Sequence, residues 1–198
     1  MIELQEKIVR YVVTLFEEHA DARLVYHNLS HTELVVAHSK QLIDYYQLSE
    51  EENFIIQTAA WFHDTGHLFN KTLGHEEAGV ALMRKFLVPL NCSSTSLDTI
   101  ADCIMSTKMP CNPLHLKDQI MCDADTWHLG TEDFEVMNDK VRQELYLREG
   151  IEMENWIHHS LKFLKNHRYY TSYCKEKLIP GKIRNMKLLE SKMDVVSK

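Results

Sequence analysis

Residues 59–67 read AAWFHDTGH, an apolar run that delivers an adjacent His63–Asp64 pair. Beside Trp61 and Phe62, an imidazole and an ionised carboxylate are costly to bury unless they are paired or bound to a metal. A divalent cation meets that need, because it accepts imidazole nitrogen and carboxylate oxygen together. Taken alone, the dipeptide reads as an ordinary exposed helix end. The rest of the chain changes that reading, since His31 lies on an earlier helix and Asp125 on a later one. Two His and two Asp from three helices can close round one ion, as in other helical metal sites.

The elements that must position these residues follow from periodicity. Residues 2–19 read as an amphipathic helix with Ile8, Val12, Leu15 and Phe16 on one stripe. Ser30 with Glu33 reads as a capping box that starts a second helix at His31 and carries it to about Tyr46, with Leu34, Val35, Leu42 and Ile43 inward. Ser49 with Glu52 opens a third helix bearing Phe54, Ile55, Ala59 and Phe62, which Gly66 should terminate, so that His63 and Asp64 fall in its last turn. Further helices are expected over about 75–87, 96–106, 117–129, 132–148 and 152–167, with loops at Pro89 and at KMPCNPL. Pro180-Gly181 should divide the tail into two shorter helices. No repeat, low-complexity stretch or linker stands out, so residues 1–198 read as a single domain.

Composition bounds what such a domain can be. Its 198 residues suffice for a sizeable hydrophobic core, and only 6 Gly and 4 Pro favour long helices over a many-stranded sandwich. A net charge of -7 makes a nucleic-acid backbone an unlikely principal ligand. The five Cys, at 92, 103, 111, 122 and 174, are odd in number and form no C-x-x-C pair. They read as reduced thiols in a cytoplasmic protein. The beginning MIELQEKIVRYVV has early charges instead of a signal-peptide run, and no apolar stretch has the length of a membrane span.

The ordered string H…HD…D resembles the HD superfamily of metal-dependent phosphohydrolases over most of the chain. YHNLSH at 26–31 is similar to the Y-H-N-x-x-H motif shared by cyclic-nucleotide phosphodiesterases and a group of small bacterial HD proteins. DADTWHLG at 123–130 is similar to the D-x-D-L-x-x-L-G segment of those bacterial proteins, and the stretch from Phe163 resembles their C-terminal helices. The resemblance implies an all-α, HD-type bundle of about eight to ten helices. It implies His31, His63, Asp64 and Asp125 as metal ligands. His27 matches the position that protonates the leaving oxygen in the phosphodiesterase relatives, a task that suits an imidazole; otherwise it caps or orients the site. Asp123, two residues from Asp125 and so facing elsewhere, becomes a residue behind the ligands or on the helix surface. His67 resembles a His that follows the His-Asp pair in phosphodiesterases and is placed behind the ligands.

His75 sits near the place where two-metal HD enzymes carry a ligand of the second ion. A further His before a Thr is usual there, and this chain has Ser106-Thr107 instead. One tightly bound divalent ion (Mn, Fe, Co, Ni, Zn or Mg) is therefore expected, with a second ion doubtful. His75 and Glu76 could bind substrate or hold water, and Glu76 also fits its helix N-terminus as a dipole partner. Lys108 is either a phosphate contact or a solvated loop residue. His158, His159 and His167 fall outside the motifs and read as surface residues.

The expected function is metal-dependent hydrolysis of a phosphate ester in a nucleotide or other small phosphorylated metabolite, with His27 as general acid and Asp64 at the reacting centre. No nucleic acid or membrane is expected as partner, and a homodimer is compatible with the sequence. Two other readings remain open: an HD-type hydratase or oxygenase acting on a small non-phosphate molecule, and a non-catalytic module that senses a nucleotide or metal.

Overall fold

The apolar stripe on the first segment does form one face of a helix. Ile8, Val12, Leu15 and Phe16 are the buried residues of α1 (Ile2–Glu18). The structure, a computed structural model, describes residues 2–69 and 72–196. Among them are nine α-helices, three short 3-10 turns and no strand. The helices after α1 are α2 (Leu29–Tyr45), α3 (Glu50–Phe62), α4 (His75–Leu87), α5 (Ser94–Met105), α6 (Leu116–Asp125), α7 (Phe134–Glu149), α8 (Trp156–Asn166) and α9 (Ser172–Val196). This is the all-helical architecture expected from the sequence. No helix of the described residues is long and apolar enough to cross a membrane.

The chain gathers into two compact units, one formed by Met1–Ala22 with His27–Asp125 and the other by Arg23–Tyr26 with Thr126–Lys198. In the first unit, α3 is the central element. It packs against α1, α2, α5 and α6, and Ile56, Ala59, Ala60 and Phe62 are fully buried along it. Hydrophobic burial at roughly 25 cal/mol per Å² makes such a helix the anchor for whatever its C-terminal end carries.

Two helix starts are instructive. Ser49 and Glu52 form the expected capping box, each side chain accepting the other's backbone N–H. At α2 the expected cap is wrong. Asn28, not Ser30, caps the helix, its Oδ1 accepting from the His31 backbone N–H at 3.1 Å, and the helix starts at Leu29. An Asn side chain three residues before an N–H serves as well as a Ser. Leu34, expected inward, is 42% exposed, whereas Val35, Leu42 and Ile43 are buried as expected.

α3 ends at Phe62, before Gly66, and residues 65–69 form a 3-10 turn. Gly66 has a different task. A Cβ there would lie 2.1 Å from the His75 carbonyl oxygen, so the turn and the start of α4 touch backbone to backbone. Gly79, one turn into α4, would place a Cβ 2.7 Å from the Phe62 carbonyl oxygen. These two close approaches fix α4 against the end of α3.

In the second unit, Leu129, Phe134, Leu161, Leu164 and Leu189 form a core. The tail is one helix that runs through Pro180, not the two expected. A Pro inside a helix costs about 3 kcal/mol, and packing offsets it. Gly181 meets Gly130 so closely that a Cβ would sit 1.8 Å from its carbonyl oxygen, and Asn185 Nδ2 donates to the carbonyls of Leu129 and Thr131 at 3.0 and 2.9 Å. His167, expected at the surface, is buried and its Nε2 lies 3.0 Å from Thr126 Oγ1; His158 and His159 are exposed.

Candidate metal centre

The end of α3, the start of α2 and the end of α6 bring His31, His63, Asp64 and Asp125 together, one donor atom of each lying within 4.8 Å of the others. His63 caps α3 with its backbone still helical. Its Nδ1–H donates to the Ala60 carbonyl at 2.8 Å, a bond made available by the three-residue spacing on a helix. That bond fixes the ring so that Nε2 points into the cluster, the usual way a protein orients an imidazole ligand.

Nε2 of His63 lies 3.1 Å from Asp64 Oδ2 and 3.7 Å from Asp125 Oδ1. Nε2 of His31 lies 3.3 Å from Asp64 Oδ2 and 3.1 Å from Asp125 Oδ1. His63 and Asp64 are almost fully buried, while the Asp125 side chain is 23% exposed. Solvent therefore reaches the cluster from the Asp125 side. His63 Nε2 and Asp64 Oδ2 are buried without a hydrogen bond. Buried polar atoms are seldom left so, and each one is costly. Two nitrogens and two carboxylate oxygens converging on one point, two of those atoms orphaned, fit a divalent cation with N/O ligands.

Electrostatics point the same way. Burial alone would depress His31, but its hydrogen bond to Asp125 and the charges of Asp64 and Asp125 outweigh it and raise its pKa to about 9. Burial opposes a charge on His63 as well, and the Asp64 charge and Asp125 contact push its pKa well above the usual value. Burial would lift Asp64, yet His63 and His31 hold it well below the carboxylate range. Asp125 is lowered by the same two imidazoles against its own burial. Two carboxylates held ionised at this depth call for positive charge between them, whether protons or a metal supply it.

The other carboxylate oxygen of Asp64 faces away from this cluster. Oδ1 lies 3.9 Å from His67 Nε2 and 3.8 Å from His75 Nε2, and Asp64, His67 and His75 form a second three-donor group. His67 stacks on His75 with ring centroids 3.9 Å apart, and His27 stacks on the other side of His67 at 4.1 Å. Three imidazoles thus form a column beside the four-donor cluster. His27 precedes α2, is half-buried, and reaches to 6.0 Å of the His31 ring. The sequence reading named each of these histidines without foreseeing the column. It depends on the Gly66–His75 backbone contact, which folds residue 75 back onto residue 67, and no local pattern reports that.

Glu76 is buried, with Oε1 3.3 Å from His75 Nε2, so it is more than a helix-dipole partner. Asp123 is fully buried, which removes the helix-surface alternative for it. Lys108 is half exposed and pairs with Glu77. His67, from another element, joins Asp64 and His75 in a group of three donors that could hold a metal ion.

The family model of the HD domain matches residues 28–129, just over half of the 198-residue chain. The match begins one residue after His27 and takes in His31, His63, Asp64 and Asp125. No curated protein and no solved structure matches the chain.

Proposed function

This chain belongs to the HD-domain family, and from that premise we propose that it hydrolyses a phosphate ester in a nucleotide or another small phosphorylated metabolite. Family membership implies metal-dependent, hydrolase-type chemistry, and the His/Asp cluster is compatible with a metal. The observation that carries the reading is the orphaned pair His63 Nε2 and Asp64 Oδ2 inside a four-donor cluster.

His31, His63, Asp64 and Asp125 would hold the ion. When bound, such an ion acidifies water and draws charge from a phosphoryl oxygen. The chain's own residues do the rest. The Ala60 carbonyl keeps His63 Nε2 aimed inward. Asp64 faces both imidazole sets with different oxygens and so couples the ion cluster to the imidazole column. His27, half-buried at the outer end of the column, delivers a proton from its ring to the departing alcohol oxygen. His67 and His75 turn their Nε2 atoms toward Asp64 Oδ1, at 3.9 and 3.8 Å. The His75 Nδ1–H donates to the Thr72 carbonyl at 3.2 Å, which leaves Nε2 as the atom presented.

A second reading has one observation in its favour. Lys108, read from the sequence as either a phosphate contact or a solvated loop residue, is engaged by Glu77. Among the described residues no Lys or Arg forms an ion pair with the four-donor cluster, and a small non-phosphate substrate that is hydrated or oxidised fits the same ligands. One experiment separates the two. The purified protein, loaded in turn with Mn, Fe, Co, Ni, Zn and Mg, is assayed against phosphomonoesters, cyclic nucleotides and nucleoside triphosphates. Release of phosphate or of a nucleoside phosphate supports the proposal. Absence of turnover with every metal removes it.

A further inference from the structure

Two thiols with no part in the metal cluster meet where α5 ends. The Cys122 thiol on α6 donates to the Ser106 carbonyl at 3.0 Å, and the Cys111 thiol on the loop between α5 and α6 lies 3.6 Å from the Thr107 carbonyl oxygen. These carbonyls belong to consecutive residues at one helix end, so both sulfurs are anchored to the same small patch of backbone. The thiols also contact each other directly. Their access to solvent differs: Cys122 is 2% exposed and Cys111 is partly exposed. Met109, itself 45% exposed, places its sulfur 3.2 Å from Cys111 Sγ on the outer side.

We propose that Cys111 and Cys122 are a modification site for hydroperoxides, with Cys111 the thiol that is oxidised and Cys122 the thiol that resolves it. The Cys111 thiolate attacks the peroxide O–O bond; one oxygen is transferred to sulfur as a sulfenic acid and the other leaves as alcohol or water. Cys122 sulfur then attacks Cys111 sulfur. The S–O bond breaks, the S–S bond forms, and the hydroxyl departs with the Cys122 proton as water. In sum, two thiols and one hydroperoxide give one disulfide, one alcohol (or water) and one water. Accessible sulfur next to a buried partner is the arrangement this sequence of steps needs. Contact with Cys111 and burial push the Cys122 thiol upward, which keeps it protonated and out of reach of the oxidant itself.

The other cysteines set the comparison. Cys103 is fully buried and its thiol lies 3.8 Å from Asp118 Oδ1. Cys174 is fully buried in the other unit. Cys92 is partly exposed, like Cys111, on the segment between α4 and α5.

The test is peptide mass spectrometry on the reduced full chain, exposed to one equivalent of hydrogen peroxide and quenched with an alkylating agent. A Cys111–Cys122 cross-linked peptide is expected, while Cys92, Cys103 and Cys174 are recovered reduced. In Cys111→Ser, on the partly exposed loop, the cross-link is lost and Cys122 stays reduced. In Cys122→Ala, Cys111 stops at a sulfenic acid that dimedone traps. Three outcomes overturn the proposal: Cys111 passing to sulfinic acid in the unsubstituted chain without a cross-link, Cys92 reacting ahead of Cys111, or Cys122 oxidising as fast in Cys111→Ser.

Discussion

His63 Nε2 and Asp64 Oδ2 face each other at 3.1 Å, two buried atoms of adjacent residues that make no hydrogen bond. The relation is unfavourable in a closed apolar core and reasonable round a cation. Asp64→Asn keeps the shape of the side chain and removes its charge. Loss of an orienting partner costs about 10–100-fold in metal affinity, and loss of a charged ligand should exceed that range. Titration calorimetry with Mn or Zn checks the value. An unchanged affinity in Asp64→Asn would mean that the ion sits elsewhere.

The metal-free protein should lose stability as pH rises. His31 is raised from 6.5 to about 9 in the fold, and His63 is raised as well. A group whose folded pKa lies above its unfolded value stabilises fully below the unfolded pKa. That contribution disappears as pH passes the folded one. Tm of the metal-stripped chain should therefore fall by several degrees between pH 6.5 and pH 9. A bound metal replaces those protons and its affinity increases with pH, so the loaded protein should show no such fall. Identical pH profiles with and without metal would contradict the account of the cluster.

Gly66→Ala forces a Cβ to within 2.1 Å of the His75 carbonyl oxygen, and neither backbone can move without shifting the column. Overpacking of this kind typically costs about 1–3 kcal/mol. The expected result is a lower denaturation midpoint together with a weakened substrate affinity. Retention of the ion in the four-donor cluster is expected, because the atoms nearest the new methyl are the backbone of His75. A variant as stable as the parent would show that the contact is less tight than described.

His27→Ala should leave ion content unchanged and lower kcat by about 10²–10⁴-fold on a substrate with a poor alcohol leaving group. With p-nitrophenyl esters, whose leaving oxygen needs no proton, the loss should shrink to roughly tenfold or less. Equal losses on both substrates would assign His27 to binding instead of proton transfer.

The sequence disclosed the site better than its surroundings. The ordered H…HD…D string and the family resemblance it carries singled out His31, His63, Asp64 and Asp125, and the structure brings those four side chains together. The shift of the α2 cap from Ser30 to Asn28 shows the limit of that logic, since both residues can cap and only the first turn's geometry chooses. The unbroken α9 through Pro180 shows another limit. Its continuity rests on Gly181 meeting Gly130 and on Asn185 bridging two carbonyls, all contacts distant in sequence. The imidazole column escaped for the same reason, because His67 and His75 are joined through Gly66 and not through any helical period.

The most direct test is a crystal structure of the purified protein with anomalous scattering recorded at the absorption edges of Mn, Fe, Co, Ni and Zn. The account predicts a strong peak within coordination distance of His31 Nε2, His63 Nε2 and one oxygen each of Asp64 and Asp125, matched by about one ion per chain in elemental analysis. A protein that retains no ion, or one whose peak lies away from Asp64 with His63 and Asp64 rearranged into an ordinary hydrogen bond, would contradict it.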